Sequence, residues 1–131
     1  MIAVDSSALV AIVFAKPERE RFLACLRQAE RALISTVSVL ETRMVVQGRK
    51  GERGVLLVDD LLRLPVFSPV PPDTADIETG YRAFVLYGKG SGHPAGLNFG
   101  DIFSYALAKN RNLPLLYKGD DFRRTDLMAA V

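Results

Sequence analysis

The chain has 131 residues, 49% of them apolar and 24% charged, with seventeen Lys and Arg against fifteen Asp and Glu for a net charge of +2. This is one domain's length with apolar residues for a sizeable core, and it excludes a disordered polymer, a disulfide scaffold and a chain held to nucleic acid by bulk charge. The lone Cys25 can form neither an internal disulfide nor a Cys-based zinc cluster and reads as core packing; with no basic leader and no apolar run near the ~20 residues of a membrane span, a cytoplasmic protein is expected.

In chain order, residues 2–5 form a β-branched strand, and Ala8 to Ala15 a short helix with Leu9, Val10, Val13 and Phe14 at helical spacing. Pro17 suits the opening position of a second helix, whose apolar stripe is Phe22, Leu23 and Leu26. Ala32-Leu33-Ile34 is a second strand, and Ser35 or Ser38 caps the next helix, with Val39, Leu40, Val45 and Val46 inward. Gly48 to Gly54 reads as a basic turn, followed by a helix over Val55 to Leu64 that Pro65 ends. Val66 to Val70 is a weak strand, placed at an edge or a strand end by Pro69. A long helix starts at Pro71-Pro72-Asp73 and reaches about Tyr87, and the Gly-rich loop Gly88 to Gly96 precedes a helix that follows Gly100 and Asp101. Leu113 to Tyr117 is the last clear strand. Strands separated by helices predict an α/β fold, a parallel sheet with helices on both faces, whose chemistry sits at the carboxyl ends of the strands.

Carboxylates recur at that edge. Asp5 ends the first strand, Glu41 lies near the start of the helix after the second, Asp101 opens the helix after the Gly-rich loop, and Asp120 and Asp121 follow the last strand. Each has a local explanation: Asp5 as a helix cap, Glu41 closing a capping box with Ser38, Asp101 as a cap or first-turn acid, Asp120 and Asp121 as turn residues. Convergence would require something positive between them, because like charges in one cleft repel. Mg²⁺ or Mn²⁺ suits carboxylate oxygens best, and zinc worst, with one His and one Cys in the chain. Such an ion activates water and neutralises charge on a phosphoryl oxygen; hydrolysis of a phosphodiester follows as the reaction class, with one ion or two about 4 Å apart.

The blocks MIAVDSSAL (residues 1–9), ISTVSVLET (34–42), LNFGDIFSYALA (97–108) and LLYKGDDFRRTDL (115–127) resemble, in order and spacing over the whole length, the PIN-domain ribonucleases, and specifically the VapC toxins of bacterial type II toxin–antitoxin pairs. The resemblance implies one PIN domain over residues 1–131, a three-layer α/β/α sandwich with a central, mainly parallel sheet. It also implies a Mg²⁺- or Mn²⁺-dependent endoribonuclease that cuts tRNA or rRNA, is commonly a homodimer, and is silenced by a VapB-type antitoxin whose C-terminal segment enters the acidic cleft. Asp5, Glu41 and Asp101 match the three central metal-binding acids. Asp121, directly before Phe122, matches the fourth in preference to Asp120, which stays a metal-ligand candidate. Ser7 matches a hydroxyl that hydrogen-bonds at the metal site; Asn98 and Ser104, one helical turn on either side of Asp101, are placed to orient it.

RNA phosphates need cations beside the acids. Candidates are Arg43, Arg49, Lys50 and Arg53, Lys89 with His93 in the Gly-rich loop, and Lys118, Arg123 and Arg124 around the last acids. His93, in a loop before Pro94, reads as a substrate contact or solvent-exposed group rather than a general base. Tyr81, Tyr87 and Phe99 have the rings to stack on bases, but read first as core. A haloacid dehalogenase-type phosphatase would need a second Asp where Ser7 stands. A receiver domain would need paired acids after the first strand and a phosphorylatable Asp after the third. The reading that competes is a PIN-like module that binds RNA or protein without cutting.

Overall fold

The computed structural model describes residues 1–131. Strands Ile2–Val4 (β1), Ala32–Ser35 (β2), Phe67–Val70 (β3) and Leu115–Leu116 (β4) form one sheet in the order β3-β2-β1-β4, with every pair parallel. β1 and β2 are central because all their residues are buried and most are apolar on both faces, as a strand covered twice requires. β3 carries Pro69, which lacks a ladder donor, and lies at the edge. The outer side of β4 is covered by the C-terminal segment: the Leu115 N–H donates to Met128 O at 2.9 Å and the Ala130 N–H to Leu115 O at 2.8 Å.

Alternation along the strands divides the core. Ile2, Val4, Ala32, Ile34 and Leu116 pack with helices Ser6–Val13 (α1) and Arg19–Gln28 (α2) and with Val39, Leu61 and Leu62 of Thr36–Leu62 (α3). Ala3, Leu33 and Leu115 meet helices Thr74–Tyr87 (α4) and Phe99–Arg111 (α5) on the other face. This is the expected α/β/α sandwich. A one-residue slip in β1 would exchange Val4 for Ala3 between the cores, so register is strongly specified. No helix is long and apolar enough to cross a membrane.

Several boundaries move. α1 starts at Ser6, not Ala8, because Asp5 takes the Ser7 N–H at 3.0 Å and caps the helix. α2 starts at Arg19, two residues beyond Pro17. The predicted basic turn over Gly48 to Gly54 is helix: only Gly51, at φ 63° and ψ −160°, leaves helical geometry, and α3 bends there. Gly54 serves close packing, since a Cβ there would lie 2.7 Å from Val46 Cγ1. The Arg43–Asp59 ion pair, at 2.9 Å, spans the bend. β4 is two residues, shorter than Leu113 to Tyr117. α5 begins at Phe99, about half a turn before the expected start, because Asn98 accepts from the Asp101 N–H at 2.9 Å. The Gly-rich loop is closed at its neck by Lys89 N–H to Leu97 O at 2.8 Å and Leu97 N–H to Tyr87 O at 2.9 Å.

Candidate active site

In a parallel sheet with right-handed crossovers, helix N-termini collect at the carboxyl edge. The starts of α1, α3 and α5 meet there with their positive dipole ends, and each acid belongs to one of those junctions or follows β4. Asp5, 2% exposed, is fixed at both oxygens: Oδ2 accepts from the Ser7 N–H at 3.0 Å and Oδ1 from the Ser104 hydroxyl at 2.5 Å. Capping and a site position therefore coincide in one residue.

Ser35, rather than Ser38, caps α3 through the Val37 N–H at 3.2 Å, so Glu41 falls in the second turn and closes no capping box. It instead accepts from the Ser6 hydroxyl at 2.6 Å. Its carboxylate lies on Gly100, where an added Cβ would stand 2.6 Å from the carboxylate carbon. Only the absence of a side chain lets Glu41 come so near Asp101.

Asp101 completes the α5 capping box by accepting from the Asn98 N–H at 3.0 Å. Burial, opposed by that hydrogen bond and reinforced by the charges of Asp5, Asp121 and Glu41, pushes its carboxyl up from an ordinary 3.8 to about 7. The four acids from distant parts of the chain thus act on one point. Asp121 contributes from the start of a 3₁₀ turn over Phe122–Arg124, with no side-chain capping bond. Asp120 turns aside to Arg123 at 3.1 Å and is not among the charges acting on Asp101.

The donors are hard carboxylate oxygens, while His93 and Cys25 lie elsewhere: the His93 Nδ1 accepts from the Ala95 N–H at 3.0 Å in the Gly-rich loop, and Cys25 packs beside the first core. In kind, the set fits Mg²⁺ or Mn²⁺. The absent side chain of Gly100 serves that fit indirectly, by leaving room for the Glu41 carboxylate. In spacing, no three acidic, histidine or cysteine side chains stand close enough to enclose an ion.

Two further hydroxyls join the site, Ser6, which the sequence does not single out, and Ser38, which it offers only as a helix cap. Ser6 holds Glu41, and Ser38, 1% exposed, meets Ser104 Oγ at 3.2 Å. Adjacency of Ser6 to Asp5 was a usable signal; the Ser38 contact joins α3 to α5 and left none.

The cation candidates have several fates. Arg43 pairs with Asp59, Lys118 with Glu18 at 3.3 Å and Arg123 with Asp120. Arg49 and Lys50 lie over the Phe14 ring, Arg124 donates to Pro94 O at 3.2 Å, and Lys89 is exposed in the Gly-rich loop. Two rings expected in the core are outside it: Tyr81 is 67% and Phe99 77% exposed. Tyr87 is half-buried, edge-on to His93 with ring centres 4.9 Å apart.

The profile of the PIN domain family matches residues 2–127. Ribonuclease VapC30 of Mycobacterium tuberculosis is 42% identical over 126 residues, 96% of this chain and 95% of that protein. Ribonuclease VapC of Mycolicibacterium smegmatis is 41% identical over 128 residues, 98% of each chain. Among solved structures, the M. tuberculosis toxin VapC20, described as cleaving the sarcin-ricin loop, superposes with a TM-score of 0.80 at 16% identity over 98% of this chain and 97% of that one. VapBC2 of Rickettsia felis, bound to a DNA fragment from its promoter, gives 0.77 at 16% identity over the same shares.

Proposed function

We propose, for a chain that belongs to the PIN domain family and within it to the VapC ribonuclease toxins of toxin–antitoxin systems, a divalent-cation-dependent cut of RNA phosphodiester bonds at the four-acid edge. The observation that carries this is the gathering of acids on the start of α5: Asp5 bonded to Ser104, Glu41 resting on Gly100, and Asp101 between them in the first turn. Asp5, Glu41, Asp101 and Asp121 would hold Mg²⁺ or Mn²⁺, while Asp120, paired with Arg123, stands outside the set. The ion, when bound, supplies Lewis-acid neutralisation of the phosphodiester and acidifies water.

The protein's own part is orientation. The Ser7 backbone N–H and the Ser104 hydroxyl fix Asp5, Ser6 fixes Glu41 and the Asn98 N–H fixes Asp101, so these three carboxylates present a set direction; the Ser7 hydroxyl, expected at the ion, instead accepts from the Lys118 N–H at 3.0 Å. The N-termini of α1, α3 and α5 favour an approaching phosphate. Lys89 is the cation we assign to the RNA backbone and His93, in the same Gly-rich loop, a ring that contacts it, with Arg43, Lys50, Lys118 and Arg123 available after exchange of their present partners. Structured RNA of the tRNA or rRNA class is the proposed substrate, in keeping with the sarcin-ricin loop cleavage attributed to VapC20. A VapB-type antitoxin and a second copy of the chain are the proposed protein partners. Exposed Leu40 and Met44 on α3, and Ile77, Tyr81 and Phe84 on α4, give apolar surface suited to both.

Purified protein freed of antitoxin should cleave structured RNA in Mg²⁺ or Mn²⁺ and stop in chelator. Absence of cleavage in every divalent ion would favour the non-cutting module. A second expectation tests the Glu41 cradle. Gly100→Ala gains up to about 1 kcal/mol of helix propensity, so thermal stability should hold or rise. The new methyl displaces the Glu41 carboxylate, and Mn²⁺ affinity should fall by about 10-fold, as when an orienting contact is lost. Calorimetric titration beside a melting curve reads both.

A further inference from the structure

Beneath the acids lies a buried hydroxyl chain. Ser104 is 0% exposed and Ser38 1%, and their oxygens are 3.2 Å apart. Ser104 has one hydroxyl proton and donates it to Asp5 Oδ1 at 2.5 Å. Ser38 must therefore be the donor to Ser104. The direction is set: Ser38 to Ser104 to Asp5. Thr42, also 0% exposed, donates to the Ser38 carbonyl at 2.7 Å and leaves the Ser38 hydroxyl free for this contact.

The placement has a second regularity. Ser38 stands three residues before Glu41 on α3, and Ser104 three residues after Asp101 on α5, so each hydroxyl shares a helix face with one acid and the chain ends on a third. The relay thus ties α3 and α5, which carry Glu41 and Asp101, to the β1–α1 junction where Asp5 stands. Consecutive hydrogen bonds in a dry interior polarise one another, which strengthens the last one on Asp5.

We infer that Ser38 is a positioning residue for divalent-ion binding, acting through Ser104 to fix the direction of the Asp5 carboxylate and its spacing from the other two acids; this rests on the proposed ion site. Ser38→Ala removes one oxygen with little change of volume. The test is titration of the RNA-free protein with Mn²⁺, followed by electron paramagnetic resonance, for the unmodified chain, Ser38→Ala, Ser104→Ala and the double variant, with circular dichroism as the check on folding. Ser38→Ala should weaken Mn²⁺ binding by about 10-fold and Ser104→Ala by at least as much. The double variant should match Ser104→Ala alone, because Ser38 has no route to Asp5 except through it. At saturating Mn²⁺ the kcat of Ser38→Ala should recover while the ion concentration it needs stays raised. Unchanged Mn²⁺ affinity in Ser38→Ala, or losses that add in the double variant, overturns the relay alone. No Mn²⁺ binding by the unmodified chain removes the ion site and the relay with it.

Discussion

Asp101→Asn is expected to lose RNA cleavage by more than about 100-fold, beyond the usual cost of losing an orienting partner, and yet to yield a more stable protein in chelator. The sign follows from linkage. The Asp101 carboxyl is raised from 3.8 to about 7 in the folded chain, so the fold holds its proton more tightly than the unfolded chain does. Its contribution to stability is whole below the unfolded value and is lost as pH rises to about 7. Asparagine never ionises and escapes that loss. It can still accept from the Asn98 N–H, so the capping box survives. Partial exposure of Asp101 and the lost helix-dipole interaction reduce the gain, which we place at about 1 kcal/mol at pH 8, or roughly 4 °C in Tm. The gain should shrink towards pH 4. Calorimetric melts at both pH values, beside an RNA cleavage assay in Mg²⁺, test this. A variant less stable than the unmodified chain at pH 8 would contradict the electrostatic account.

Asp5→Ala should abolish the same activity with the opposite effect on stability. Asp5 is buried and caps α1, and its loss removes a cap worth about 1 kcal/mol. It also deprives Ser104 of its acceptor inside the core, a further cost of about 1–3 kcal/mol. Relief of its repulsion on Asp101 returns part of this. A net destabilisation of about 2 kcal/mol is expected, near 8 °C in Tm. Two acids of one site would then be told apart by calorimetry alone: Asp5 is held in place by hydrogen-bond donors, whereas Asp101 is held in the field of its neighbours.

The layered architecture was legible because its causes are local. β1 and β2 are short, apolar and separated by helical spacing, and Pro69 restricts β3 to an edge wherever the sheet closes. Asn98 to Asp101 is a capping box readable from two residues, although the sequence reading began α5 after it. Gly48, Gly51 and Gly54 misled for a physical reason. Glycine signals freedom, and the sequence does not say whether that freedom makes a turn, a bend at Gly51 or close packing at Gly54. Tyr81 and Phe99 misled similarly, since an aromatic on a helix carries no mark of which side will be covered.

For the acids the division is sharper. Residue types alone put Asp5, Glu41, Asp101 and the pair Asp120 and Asp121 at the carboxyl edge and pointed to a hard cation as what their convergence would require, whereas the preference for Asp121 came from the family resemblance. Tertiary structure decided which acids act on one another, that Asp120 faces Arg123 instead, that Glu41 rests on Gly100, and that Ser38 reaches Asp5 through Ser104. Propensity and capping act over a few neighbouring residues, so a linear chain displays them. Charge repulsion and a buried hydroxyl's choice of partner act through space, between positions as far apart as Asp5 and Ser104, and exist only once the sheet has brought those positions together.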